Sequence, residues 1–107
     1  MKGECFRLAA KYCWNRGEGE LVHGTVLSGG KRMKHAWVDL DTGHIWEPES
    51  QSYIPEDFWE RSFCPEDKVS YNPEEAAIMV ARTRNFGPWT KEERRSILGE
   101  EHSMGGF

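Results

Sequence analysis

Three side chains of this sequence, Cys5, His35 and Glu47, could together do covalent chemistry on a carbonyl. A cysteine at a helix start sits at the positive end of the helix dipole, which favours the thiolate, the nucleophilic form of sulfur. A histidine within reach then serves as its base, and later as the acid that protonates the leaving group. A carboxylate that accepts a hydrogen bond from the second ring nitrogen holds the imidazole in one orientation. Each residue also has a plainer reading. Cys5 is of a type often buried simply as a small apolar group, and His35 could be a satisfied structural histidine. Of the remaining cysteines, Cys13 is expected in the core about two turns further along the helix, and Cys64, before Pro65, in a loop.

The elements that must position these groups follow from local pattern. Residues 5–14 predict a helix: apolar residues at 5, 8, 9, 12 and 13 form a stripe, Arg7 and Lys11 lie opposite, and Asn15-Arg16-Gly17 ends it. Residues 21–27 and 35–40 predict strands joined by Ser28-Gly29-Gly30-Lys31. Asp41-Thr42-Gly43 suits a three-residue hairpin loop with Gly43 in the left-handed position, and residues 44–47 form the returning strand. That loop places Leu40 opposite His44, Trp37 opposite Glu47 and His35 opposite Glu49. His35, Trp37, Ile45, Glu47 and Glu49 then share one face, with Glu47 diagonal to His35. A two-residue loop at Thr42-Gly43 would instead bring Trp46 and Pro48 to that face.

Residues 50–62 read as irregular, with one helical turn near 56–59, and residues 68–71 as a short strand. Asn72-Pro73-Glu74-Glu75 opens a helix that stops near residues 85–88, and Thr90-Lys91-Glu92-Glu93 opens a last short one. The expected class is α+β: an N-terminal helix packed on a small antiparallel sheet, with C-terminal helices. One domain is expected over residues 1–98, its last helix docking through Trp89, Ile97 and Leu98. Residues 99–107 are expected to be a flexible tail that adds little stability.

A chain of 107 residues has room for one core, and 37% hydrophobic residues, 30% charged residues and five tryptophans describe a folded domain. The formal charge of -4 gives no support to a nucleic-acid partner. The basic groups Lys31, Arg32 and Lys34, and Arg82, Arg84, Arg94 and Arg95, read as solvated surface. No apolar run approaches the roughly 20 residues of a membrane span. Three cysteines without a C-x-x-C pair fit free thiols rather than a disulfide scaffold, so a cytoplasmic location is expected. No metal or other cofactor is expected: His23, His35 and His44 are the candidate ligands, but His44 falls on the opposite face from His35 and no close acid–histidine pair supports a site. Gly24 to Lys31 loosely echoes a phosphate loop, but Arg32 stands where the magnesium-binding hydroxyl belongs.

The runs Val22-His23-Gly24, His35-Ala36-Trp37-Val38-Asp39 and Gly43-His44-Ile45-Trp46-Glu47-Pro48 resemble the transglutaminase-like and papain-like cysteine peptidase superfamily. The resemblance covers the first half of the chain and implies a papain-like core. It implies Cys5 as nucleophile, His35 as base and Glu47 as orienting acid, with Trp37, Trp46 and His23 on the substrate side. The implied reaction is cleavage or acyl transfer at an amide bond of a peptide or other amide substrate. Two departures stand out. Glutamate replaces the usual aspartate before the proline, which moves the carboxylate by about 1.5 Å. No glutamine precedes Cys5, so the oxyanion donors are left to backbone N–H groups at the helix start. The alternative is a non-enzymatic interaction module on the same scaffold, offering the aromatic and charged segment from Trp89 onward to a protein partner.

Overall fold

The computed structural model describes residues 4–99. Helix α1, Glu4–Arg16, buries Cys5, Phe6, Ala9, Ala10 and Cys13, a stripe with helical spacing. Glu4 in its first turn and Arg16 in its last complement the dipole. The middle of α1 is clamped to the sheet. Tyr12 stacks on Trp46 with ring centroids 4.1 Å apart, and its hydroxyl lies 2.7 Å from that of Tyr53.

Strands β1 (Glu20–Ser28) and β2 (Lys31–Asp39) form a long antiparallel hairpin, in register from Glu20↔Asp39 to Ser28↔Lys31. Strand β3, His44–Glu47, returns along β2 with Val38↔Trp46 and Asp39↔Ile45 paired. This is the register of the three-residue loop. Leu40 donates its N–H to the His44 carbonyl at 3.0 Å, and Gly43 takes φ 85°, where a side chain would be strained. Strand β4 (Ser52–Pro55) adds to β3 and strand β5 (Glu66–Tyr71) to β1, giving an antiparallel order β4-β3-β2-β1-β5.

The α+β class is as expected, but residues 50–62 are more ordered than their sequence suggests. They hold β4 and all but the last residue of a two-turn helix α2, Glu56–Phe63. Helix α2 lies on the sheet face away from α1, where Trp59 packs with Val22, Val26, Trp37 and Ile45. Full burial of Trp59 (1% exposed) is a gross gain of about 5 kcal/mol, which offsets the ordering of so short a helix.

Helix α3, Pro73–Thr83, starts with a complete Asn72/Glu75 capping box and ends at left-handed Arg84, slightly earlier than expected. Helix α4, Lys91–Leu98, has its own Thr90/Glu93 capping box. Together α1, α3 and α4 cover the larger core, built from Leu21, Ala36, Val38, Trp46, Tyr71 and Met79 with the buried face of α1. One expectation fails here. Arg94 is not solvated surface but 1% exposed, its guanidinium donating to the Trp89 carbonyl at 3.1 Å. The expectation of a flexible tail falls, beyond Gly99, outside the described residues. Among the described residues, no helix is long and apolar enough to cross a membrane.

Candidate active site

His35 lies three residues beyond the last position at which β3 pairs with β2, and β3 itself ends at Glu47. The first turn of α1 meets both strands there. The His35 ring donates from Nε2 to the Glu47 carboxylate at 2.9 Å, which leaves Nδ1 for the thiol. The Cys5 sulfur, a His35 ring nitrogen and a Glu49 carboxylate oxygen all lie within 4.8 Å of one another. Cys5, His35 and Glu47 are therefore brought together, each under 10% exposed.

The Glu47 side chain is fixed by its own turn. Glu47 Oε2 accepts from the Glu49 N–H at 3.1 Å, while Oε1 accepts from the Ser50 N–H at 2.8 Å and the Ser50 hydroxyl at 2.7 Å. The chain after Pro48 thus folds back around the longer side chain and stops it from swinging. Burial opposes charge on both members of the pair, but their partners outweigh it. Burial pulls the His35 ring down, yet hydrogen bonds and charge from Cys5 and Glu47 raise it to about 9. Burial pushes the Glu47 carboxyl up, yet His35 and the Ser50 and Glu49 donors bring it down to about 2. At neutral pH this is a buried imidazolium–carboxylate pair.

The groups open onto a cleft of about 680 Å³ whose walls include Val26, Met33, Ile54, Trp59 and Phe63. Two of these five, Ile54 and Trp59, come from the segment that reads as irregular, and Phe63 follows it directly. The available signal was the i, i+4 pair Trp59 and Phe63 just after Pro55. Cys5 is the second residue of α1, so its N–H and that of Phe6 have no acceptor within the helix and can face a developing oxyanion.

The residues expected on the substrate side are placed differently. Trp37 packs under the His35 ring, centroids 6.1 Å apart, and supports it without lining the cleft. Trp46 is buried on the α1 face against Tyr12. His23 is buried among Phe6, Tyr71 and Trp89 and lines a separate cavity of about 210 Å³. Strand alternation explains this, since residues 23 and 24 of β1 point to opposite faces and Gly24 faces the Trp37 side. Neither His23 ring nitrogen has a hydrogen-bond partner among the described residues. Burial, helped by the Arg94 charge, pushes this ring down to about 3.

Comparison with protein-family models, curated proteins and solved structures finds no match to this chain. The chemistry of the site rests on the geometry above.

Proposed function

We propose that this protein is a cysteine hydrolase or acyltransferase that acts on an amide bond. The observation that supports it is the convergence of Cys5 and His35 at the mouth of an apolar cleft, with the ring fixed by a saturated Glu47 carboxylate. The Cys5 sulfur attacks the amide carbon, and the oxyanion is met by N–H groups of the first turn of α1. His35 gives a proton to the leaving nitrogen as the C–N bond breaks, which leaves a thioester on Cys5. His35 then takes a proton from water or an amine, whose attack on the thioester carbon expels the sulfur. Glu47 keeps the ring oriented and balances its charge throughout. The apolar walls suit an apolar group beside the scissile bond.

Alkylation tests the reading without a known substrate. At neutral pH, iodoacetamide should modify Cys5 faster than a free model thiol, despite its burial, and His35→Ala should slow the reaction by at least about tenfold. Mapping the adducts separates Cys5 from the exposed Cys64. Labelling no faster than the model thiol would overturn the reading in favour of a non-enzymatic interaction module on the same scaffold.

A further inference from the structure

We infer that Cys5, His35 and Glu49 form a reversible zinc-binding site built over the nucleophile. The site itself is independent of the proposed function; its consequence as an off-switch rests on that reading. The three donor atoms already lie within 4.8 Å of one another. Ligands of a tetrahedral zinc at about 2.0–2.3 Å are roughly 3.4–3.7 Å apart, so closure needs movements of about 1 Å. One thiolate, one imidazole and one carboxylate are a donor set for zinc, and the sulfur disfavours calcium and magnesium.

Two further features prepare the site. His35 spends Nε2 on Glu47, which is the outer carboxylate–histidine arrangement that orients a metal-bound imidazole and raises its basicity. Glu49 belongs to the turn that the Glu47 carboxylate pins through the Glu49 and Ser50 N–H groups, so its backbone is anchored while its side chain stays exposed to arriving ions. On binding, the ion replaces the proton on Nδ1, and Nε2 keeps its proton toward Glu47. Coordination then occupies the sulfur lone pair and the ring nitrogen that attack requires. Three protein ligands leave a fourth position to water.

The test uses the full chain with Cys64→Ser, which removes the exposed thiol. Titration with zinc chloride, followed by calorimetry, should show one ion per chain. Cobalt chloride should give a thiolate-to-metal charge-transfer absorption that Cys5→Ala abolishes. Glu49→Gln should weaken zinc at least about tenfold while leaving the urea midpoint unchanged and Cys5 still open to alkylation without metal. In the parent chain, zinc should protect Cys5 from iodoacetamide and EDTA should restore labelling.

The site is overturned if zinc fails to bind stoichiometrically, if the cobalt band survives Cys5→Ala, or if Glu49→Gln binds zinc as tightly as the parent. Slow metal-free labelling of Cys5 together with tight zinc binding would instead remove the enzymatic reading and leave the metal site standing.

Discussion

His35 and His23 sit on neighbouring strands of one sheet, both under 10% exposed, and point to opposite faces. Burial penalises the charge of each. His35 has a carboxylate at 2.9 Å and a thiol beside it, and its ring rises to about 9. His23 has aromatic neighbours and the Arg94 charge, and its ring falls to about 3. The same side chain is thus a cation in one pocket and neutral in the other. Burial alone does not decide protonation; what the ring can hydrogen-bond to does.

The largest expected effect is on acid stability. The neutral form of His23 is favoured by folding, so its contribution is present above pH 6.5 and is lost as pH falls toward about 3. The slope approaches about 1.4 kcal/mol per pH unit near pH 5 and weakens toward 6.5, where His35 contributes the opposite sign. Urea unfolding between pH 5 and 6.5 should lose this slope in His23→Leu. An unchanged slope would erase the contrast between the two rings.

His35 and Glu47 behave in the reverse sense. The raised His35 ring stabilises the fold fully below pH 6.5, and this is lost as pH rises through about 9. The depressed Glu47 stabilises it fully above 4.5, and this is lost as pH falls through about 2. Their pairing is therefore at full strength between about 4.5 and 6.5. Glu47→Ala leaves a buried ring and three donors without their acceptor, and should cost about 3 kcal/mol at pH 6. The same variant should bring the His35 titration, followed by NMR, well below 9. A ring that still titrates near 9 would move the cause from Glu47 to Cys5.

The smallest effect sharpens the picture. Ser50→Ala removes the hydroxyl at 2.7 Å but keeps the backbone donor at 2.8 Å. It should cost about 1 kcal/mol in urea unfolding, with His35 still protonated at pH 7. A loss of the His35 charge would show that the hydroxyl, and not the turn, holds the carboxylate.

The His35 side of this comparison was largely readable from residues. Gly43 set the loop length, loop length set register, and register put His35 and Glu47 on one face. The His23 side was not. Alternation assigns residues to two faces but does not say which layer covers each, and both faces of β1 are covered here. Helix α2 was hidden because its eight residues hold few apolar groups, and packing of Trp59 rather than propensity stabilises it. Arg94 was misread because its partners, the Trp89 carbonyl and the Tyr71 side chain, are brought to it only by the fold.

The clamp at Tyr12 gives α1 the mechanics of a lever. Tyr12 is held by the Trp46 ring and the Tyr53 hydroxyl, and Cys5 lies seven residues away at the end of the arm. At 1.5 Å per residue the arm is about 10 Å long, so a tilt of about 5° about the clamp carries the sulfur by about 1 Å. Displacements of that size separate aligned from misaligned reacting atoms. An aromatic contact two turns along α1 from the cleft thus sets the aim of the thiol.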